Sequence, residues 1–293
     1  MPRKIVLMLM ALTTVVAFNS HADSNLVEVP PEVQLVNSLN PQTGTVAIPE
    51  ANATLQVSDA FYYLNAADAE KVLVDLWGNP PGQPTLGMLF PAGKSPLDGD
   101  AWAVTIEYEE DGYVTDEDAD KIDYQDMLKQ MKKDTQEASK QRVEIGYESV
   151  ELVGWAATPF YDNQEKKLHW AKEIKFGDSD YHTLNYNIRV LGRKGVLLLN
   201  FIASIEQLPE IEQNLPSVLA LAEFDQGSTY ADFDPDVDQV AAYGIGALVA
   251  GKVLAKTGFF AIALVFLKKF GVFILLGLGA IVKALFSRRK NAQ

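Results

Sequence analysis

The stretch "LHWAKEIKFGDSDYHTLNYNIRVLGRKGVLLLNF" (168–201) joins two alternating segments to a continuous apolar run, and it decides the fold. Residues 168–176 and 184–190 alternate apolar and polar side chains, a period of two that is typical of β-strands with one buried face. Residues 196–203 do not alternate, so we expect a central strand that is buried on both faces. The turns "GDSD" and "GRKG" separate the three segments. The stretch therefore predicts adjacent antiparallel strands.

Helical patterns lie on both sides of these strands. In "NAADAEKVLVDLWGNPPG" (65–82), Asn65 is a suitable N-cap, and the glycine and prolines near the end stop the helix. Within residues 114–142 we expect a solvated helix that starts near Thr115 or Asp123, with acidic side chains early and lysines late, which suits the helix dipole. Residues 208–219 show helical spacing, with a break expected at Pro216. We predict an α+β fold with a largely antiparallel sheet and flanking helices, plus a C-terminal transmembrane helix.

Polar side chains gather on one face of the predicted sheet. We expect the first two strands to pair about "GDSD", with Trp170 opposite Ile188 and His169 opposite Arg189. In that register one face is apolar and the other carries His169, Glu173, Asn185, Asn187, Arg189 and Asn200. Such a cluster can do acid–base or anion-binding chemistry, with Glu173 or His169 as the base and Arg189 as the anion clamp. A solvated sheet face held by cross-strand pairs is the competing interpretation.

Residues 1–22 read as a secretory signal peptide. A short basic region, Arg3 and Lys4, precedes an apolar run at 5–18, and "SHA" ends the segment with small residues at the cleavage positions. The apolar run is short for a bilayer, which disfavours an uncleaved anchor. We therefore predict that residues 23–238 form an extracytoplasmic α+β domain.

Charge divides the remaining chain into two parts. All 39 Asp and Glu residues lie between residues 23 and 238. Of the 25 Lys and Arg residues, two lie in the leader and eight follow Gln239, so 15 remain in the middle. The middle therefore carries a net charge of −24 and the tail +8. A domain this acidic repels phosphate backbones, so no nucleic acid partner is expected.

The side-chain inventory limits the chemistry. The chain has no cysteine, which excludes disulfides and thiolate nucleophiles. Outside the leader the only histidines are His169 and His182, so no metal site is predicted. The acidic segment "DFDPDVD" (232–238) is interpreted as a hydrated linker. No nucleotide-binding motif is complete, and we expect no cofactor.

The C-terminal segment is apolar and basic. We assign residues 239–257 to an amphipathic juxtamembrane helix and 258–287 to a transmembrane region with the core "FGVFILLGLGAIVKALF" (270–286). Residues 288–293 begin with "RRK" and form a cytoplasmic basic tail under the positive-inside rule. One crossing of the lipid bilayer of the bacterial inner membrane then leaves the large domain on the periplasmic side. A hairpin within 241–286 is the alternative, and it leaves "RRK" outside.

Several phrases resemble a known bacterial family. "LWGNPPG", "DGYVTDEDADKIDY", "GWAATPFYD", "KKLHWAKEI", "LNYNIRVLGRKGVLLLNFIA" and "YADFDPDVDQVAAYGIGALVAGKV" are similar to segments of domain-of-unknown-function family 2167, uncharacterised membrane-anchored proteins, from about Gly44 to the tail. The resemblance implies an exported domain with a C-terminal anchor, and it assigns no activity or catalytic residue. The order of helix and hairpinned strands is also similar to PsbP-like α+β domains, a likeness of fold that implies no function.

These observations favour a membrane-anchored extracytoplasmic protein that binds another envelope or inner-membrane protein. The tether raises its effective concentration toward neighbours in the membrane. Trp77 in "WGNPPGQP" and Trp155 in "GWAATPFYD" are candidate contact residues, as are Asn185 and Asn187. The two tryptophan segments are equally typical of turns that cap a core. The alternatives are an envelope enzyme that uses the polar sheet face, and a subunit of a membrane transport complex.

Overall fold

The computed structural model of the chain describes residues 29–82 and 85–250. Within these two ranges no helix is both long enough and apolar enough to cross a membrane. The predicted signal peptide (1–22), the crossing at 270–286 and the basic tail at 288–293 lie outside the described residues.

The described ranges contain ten strands and five α-helices, together with short 3₁₀ and π-helical segments, and the fold is α+β, as predicted. The strands are β1 (Gly44–Ile48), β2 (Ala53–Val57), β3 (Phe61–Asn65), β4 (Gly87–Pro91), β5 (Ala103–Glu109), β6 (Val150–Asp162), β7 (Lys167–Phe176), β8 (His182–Leu191), β9 (Val196–Ser204) and β10 (Ala222–Phe224). The helices are α1 (Pro31–Asn37), α2 (Ala66–Glu70), α3 (Tyr124–Glu144), α4 (Leu208–Leu219) and α5 (Gly246–Ala250). Asn65 caps the start of α2, because its side chain accepts a hydrogen bond from the N–H of Asp68. The helix continues as a π-helical segment, Lys71–Leu76.

Seven strands form one sheet in the order β3-β4-β5-β9-β8-β7-β6, while β1, β2 and β10 form a second sheet. Each of these strand pairs is antiparallel. β9 lies in the middle of the large sheet, and its residues from Val196 to Leu199 are buried. The prediction of a central strand from the continuous apolar run is therefore confirmed.

The pairing of β7 with β8 differs from the predicted register by one residue. Leu168 lies opposite Arg189, and His169 lies opposite Ile188. A one-residue slip changes which side chains of two paired strands lie on the same face of the sheet. The predicted register assumes one apolar and one solvated face, but both faces of this sheet are covered. β7 therefore buries Leu168 and Trp170 on one face while β8 buries Ile188 on the other.

One face of the large sheet, which we call the closed face, carries a continuous apolar layer under α4 and the three-stranded sheet. Its buried side chains include Val104, Ile106, Tyr186, Ile188, Leu197, Leu199 and Phe201. Ile211 and Val218 of α4 pack on this layer. The ring of Phe201 lies 5.7 Å from the ring of Trp102 and 6.1 Å from that of Tyr186. The closed face is therefore the principal hydrophobic core.

The opposite face, which we call the open face, is covered at its two ends. At one end, Val72 of the π-helical segment packs with Leu64 and Met88. At the other end, α3 and the residues near α5 form a second apolar cluster around Trp170 and Ile245. Between the two clusters, the middle of β5, β9, β8 and β7 is lined by polar side chains.

α4 runs through Pro216 without a break, and the predicted break is wrong. Pro216 lacks an N–H group, so the helix loses one hydrogen bond, the bond to the carbonyl oxygen of Glu212. The last turn is nevertheless closed, because the N–H of Ala220 donates to the carbonyl oxygen of Pro216 at 3.0 Å. Burial of Ile211 and Val218 holds the parts on both sides of the proline against the closed face.

The acidic segment 232–238 is exposed to solvent over residues 234–237, as predicted, but its last residue is fixed to the domain. The side chain of Asp238 is 2% exposed and forms an ion pair with Arg193 Nε at 2.7 Å. Arg193 also donates to the carbonyl oxygen of Gly227 at 3.1 Å. The segment is therefore fixed to the turn between β8 and β9, which contains Arg193.

Residues 239–250, which the sequence assigns to a juxtamembrane helix, continue the folded domain. Ile245 is fully buried. The carboxylate of Asp118 accepts hydrogen bonds from the N–H groups of Ile245 and Gly246, at 3.0 and 3.3 Å. A Cβ atom on Gly244 would lie 2.5 Å from the same carboxylate, so this close approach requires glycine. These contacts extend the packed domain beyond the predicted boundary at residue 238.

Candidate functional site

The gap in the open face is a cavity of about 340 Å³. Its polar lining consists of Asn79, Thr85, Thr105, Glu107, Lys172, Asn185, Asn187, Arg189 and Asn200. Asn79 follows the π-helical segment and belongs to the sequence "WGNPPGQP". Small-molecule sites have volumes of about 300 to 1,000 Å³, so the cavity has room for a small ligand.

The strand register explains why these side chains meet. Asn200 of β9 pairs with Asn187 of β8 in the middle of the sheet. Side chains two residues apart on a strand share a face. Arg189 on β8, Glu107 on β5 and Lys172 on β7 therefore project from the same face as this amide pair. Four adjacent strands thus supply one polar cluster.

A chain of hydrogen bonds joins Arg189 to Glu107 across the cavity. Arg189 Nη1 donates to Asn200 Oδ1 at 3.0 Å, and Asn200 Nδ2 donates to Glu107 Oε1 at 3.3 Å. A guanidinium only donates and an ionised carboxylate only accepts, so these two neighbours orient the Asn200 amide. Asn200 therefore links the cation to the carboxylate in the absence of a direct ion pair between them.

The side chain of Arg189 lies over Trp170. Its Cζ atom is 4.9 Å from the centre of the indole ring, which is the geometry of a cation–π contact. Burial lowers the pKa of Arg189 to about 10, against the opposing charges of Glu107 and Glu109. Stacking and the bond to Asn200 together fix the position of the guanidinium.

Lys172 is the second cation of the cavity, and it has no hydrogen-bond or ion-pair partner among the described residues. Burial, with the charge of Arg189 as the second cause, lowers the pKa of Lys172 from 10.5 to about 8. Both causes disfavour the protonated ammonium group. An anion placed beside Lys172 would counteract them.

Positive charge exceeds negative charge in the cavity. The lining carries these two cations and one carboxylate, Glu107, while Glu109 acts on Arg189 from outside the lining. Burial raises the pKa of Glu107 against the opposing charge of Arg189. The side-chain N–H of Asn187 donates to the carbonyl oxygen of Asn185 at 2.8 Å. Neither Lys172 nor Arg189 forms an ion pair with a residue in the part of the chain that the structure describes. A ligand with negative charge would supply the missing acceptor.

The predicted bases His169 and Glu173 lie on the closed face, away from Arg189. The register of β7 with β8 directs both toward the side of the apolar residues of β8. Glu173 Oε1 lies 2.5 Å from Nδ1 of His182, and burial lowers the pKa of His169. The predicted cluster is therefore divided, while Arg189, Asn200 and the two asparagines of β8 do share one cavity.

The two candidate contact tryptophans are engaged inside the domain. Trp77 Nε1 donates to the carbonyl oxygen of Pro96 at 3.0 Å, and Trp155 Nε1 donates to that of Tyr124 at 3.2 Å. Each indole packs against one of the two apolar clusters of the open face. These contacts support the second interpretation of the two tryptophan segments, that they are turns that cap the core.

Sequence reasoning missed Lys172 and Glu107 as site residues. Every second residue of β7 is apolar, as at Trp170 and Ile174, except at Lys172. A charged residue in such a series is the signal for a polar site on a covered face. Glu107 gives no such signal, because a charged residue in an alternating strand is typical of a solvated face.

The fold and the cavity define the class of protein, an α+β domain with a cationic cavity on one sheet face. A family model described as "Protein of unknown function (DUF2167)" matches residues 40–279, and the chain belongs to this family. No curated protein matches the chain. The solution structure of cyanobacterial PsbP (CyanoP) from Synechocystis sp. PCC 6803 matches with 10% identity and a TM-score of 0.36, covering 64% of this chain and 94% of that one. A likeness at that level carries no functional conclusion.

Proposed function

We propose that the protein is a tethered binding module whose open-face cavity binds a small anion. One observation carries the proposal: Arg189 and Lys172 line a concave cavity and form no ion pair within residues 29–82 and 85–250. Holding uncompensated charge away from bulk water costs free energy. A carboxylate or a phosphate group offsets that cost, because it supplies both charge and hydrogen-bond acceptors.

The uncharged side chains of the cavity indicate which functional groups the ligand carries besides its anionic group. Asn185, Asn187 and Thr105 each offer a donor and an acceptor, which suits hydroxyl and carbonyl groups. A volume of about 340 Å³ suits a small metabolite and not a polymer. The ligand class is therefore a small polar anion, a carboxylic acid or a phosphate compound.

An enzyme that combines His169, Glu173 and Arg189 is not favoured by this geometry. A general base must lie within hydrogen-bond reach of the group it deprotonates. The sheet separates the two candidate bases from the guanidinium. The binding function needs only groups that share the cavity.

The position of the module in the cell is part of the proposal. The leader at 1–22 and the apolar tail that ends in "RRK" support export of the domain and anchoring in the bacterial inner membrane. A tether of this kind raises the effective concentration of the domain near envelope and inner-membrane proteins. We infer that one of these proteins is the partner that responds to the bound anion.

Isothermal titration of the full-length protein in detergent tests the cavity. The probes are acetate, pyruvate and inorganic phosphate. We expect saturable binding of at least one of them and an affinity at least about tenfold lower in Arg189→Gln, which removes a charge-assisted contact. Arg142→Gln is the matched control, because it removes a guanidinium from α3 outside the cavity. Absence of binding for all three anions, or an equal loss in the control, contradicts the proposal.

Crosslinking in cells tests the tethered partner. Tagged full-length protein is compared with a variant that carries an unrelated single-crossing anchor in place of residues 251–293. Residues 239–250 are kept because they pack on the domain. A specific partner captured by both proteins supports recognition by the domain. If every partner is lost when residues 251–293 are replaced, recognition depends on the native tail, and this part of the proposal is contradicted.

A further inference from the structure

The cavity contains an amine in surroundings that suit covalent chemistry. Among the described residues, Lys172 is the one amine that lines the cavity. The other charged groups of the lining are Arg189 on β8 and Glu107 on β5, and the helical cover at Leu73 adds no charge. Trp170, two residues earlier on the same face of β7, is 2% exposed. Lys172 therefore shares the cavity with one cation and one carboxylate, and it forms no hydrogen bond or ion pair with a residue that the structure describes.

Lys172 and Arg189 reach the cavity from adjacent strands, β7 and β8. Lys172 pairs with Asn185, and Arg189 lies four residues further along β8, which is about 14 Å at about 3.4 Å per residue. The guanidinium of Arg189 leans back over Trp170, toward the strand that carries Lys172. Both side chains line one cavity, whose volume of about 340 Å³ is that of a site for a small molecule.

The two cations suit different parts of such a molecule. With its pKa lowered to about 8, Lys172 is a neutral amine in about one protein in ten at pH 7, against fewer than about one in a thousand for a lysine at 10.5. A desolvated lysine beside another cation is an activated nucleophile toward carbonyl carbon. Arg189 stays charged at pH 7 and has the planar geometry that binds carboxylates.

We propose that Lys172 forms an imine with the carbonyl group of a small oxo acid whose carboxylate is bound by Arg189. Asn185 lies opposite Lys172, Asn187 is two residues further along β8, and both amides line the cavity, where they can hydrogen-bond to the carbonyl oxygen. The inference rests on the proposed anion-binding function, and it adds a covalent step and a chemical class of ligand.

The step balances without a co-reactant. The lone pair of the neutral Nζ forms a C–N bond with the carbonyl carbon, and the former carbonyl oxygen takes up a proton. That oxygen then leaves as water with the second proton that the amine loses, and the C=N bond remains. One water molecule is released for each imine, and no group is oxidised or reduced.

Reductive trapping of the full-length protein in detergent with pyruvate tests the inference. Sodium cyanoborohydride reduces an imine to a stable secondary amine, which peptide mass spectrometry locates. We expect labelling of Lys172 at least about tenfold above that of Lys175, on the same strand but the other sheet face. Acetate should compete with the labelling, and acetone, which lacks a carboxylate, should label Lys172 weakly.

Two variants separate the covalent step from anion binding. Lys172→Arg keeps a cation in the cavity and removes the primary amine, so it should retain pyruvate binding and lose the label. Arg189→Gln should lose both. Labelling of Lys172 no stronger than that of Lys175, while pyruvate still binds by calorimetry, overturns the imine and leaves the binding function intact. Absence of binding for pyruvate, acetate and phosphate overturns both proposals.

Discussion

The two faces of the seven-stranded sheet are built from alternating residues of the same strands, yet they have opposite characters. On the closed face, Ile188 and Phe201 belong to a continuous apolar layer. Their immediate neighbours in the chain, Arg189 and Asn200, line the cavity of the open face. The difference teaches that polarity in a covered sheet can mark a site and not a solvated surface. Burial on one face offsets the cost of charge on the other.

Truncation on the closed face should have the largest effect on stability. Phe201→Ala removes a fully buried ring that contacts Trp102 and Tyr186, and we expect a loss of about 3 to 5 kcal/mol in the free energy of unfolding. Ile202→Ala, the next residue, is the control on the cavity wall and should cost less, because its side chain is only partly buried. Urea denaturation measures both. Equal losses would erase the distinction between the faces.

Removing the isolated cation of the open face should stabilise the domain. Lys172→Met removes an ammonium group whose pKa falls from 10.5 to about 8 on folding, which corresponds to at most about 3 kcal/mol. The folded state disfavours the protonated lysine, so the gain is complete below pH 8. It declines as the pH rises from 8 to 10.5, where the unfolded lysine also loses its proton.

Urea denaturation of Lys172→Met and the wild type at pH 7 and at pH 10.5 measures this gain. A stabilisation that is the same at both pH values would assign it to better apolar contacts and not to the removed charge. A loss of stability at pH 7 would mean that the Lys172 ammonium is compensated in the folded protein.

Breaking the amide link in the cavity should have an intermediate effect. Asn200→Ala leaves Arg189 without its side-chain acceptor and Glu107 without an amide donor, and we expect a loss of about 1 to 3 kcal/mol. Gln213→Ala, at an exposed position of α4, is the control and should change stability by less than about 0.5 kcal/mol. An unchanged free energy of unfolding in Asn200→Ala would mean that the chain of hydrogen bonds does not contribute to stability.

The smallest expected effect is at the C-terminal end of the described residues. Asp118→Ala removes the acceptor for the N–H groups of Ile245 and Gly246, and we expect a local loss of about 1 kcal/mol. Hydrogen exchange at these two amides should accelerate about fivefold while the closed face keeps its protection. Asp120→Ala, an exposed neighbour, is the control. Unchanged exchange at both amides would mean that Asp118 does not hold this segment.

Much of the fold follows from local patterns. The period of two at 184–190, the continuous run of β9 and the cap at Asn65 each specify one element, and the structure confirms all three. The break at Pro216 was expected from a local rule, but the burial of Ile211 and Val218 on the closed face overrides it. Local rules therefore succeed where tertiary contacts agree with them.

The site could be predicted only in part, because alternation within a strand does not determine register between strands. The sequence places three of the polar residues on one face of the predicted sheet, and the structure brings them together in the cavity: Arg189, Asn187 and Asn200. His169 was grouped with them because a solvated face was assumed. Both faces of this sheet are covered, so a charged residue at a strand position where the pattern predicts an apolar side chain indicates a polar site. Lys172 is such a residue, and it is a better indicator of the site than a histidine at a position where a polar side chain is expected.

The most direct test of the difference between the faces is a titration of the full-length protein in detergent with pyruvate, followed by ¹⁵N–¹H spectra of the side-chain amides. We expect saturable shifts for Asn185, Asn187 and Asn200 in the cavity, and none for Gln213 or Asn214 on α4, which covers the closed face. Small, non-saturating shifts of equal size at all five amides would contradict a ligand site on the open face.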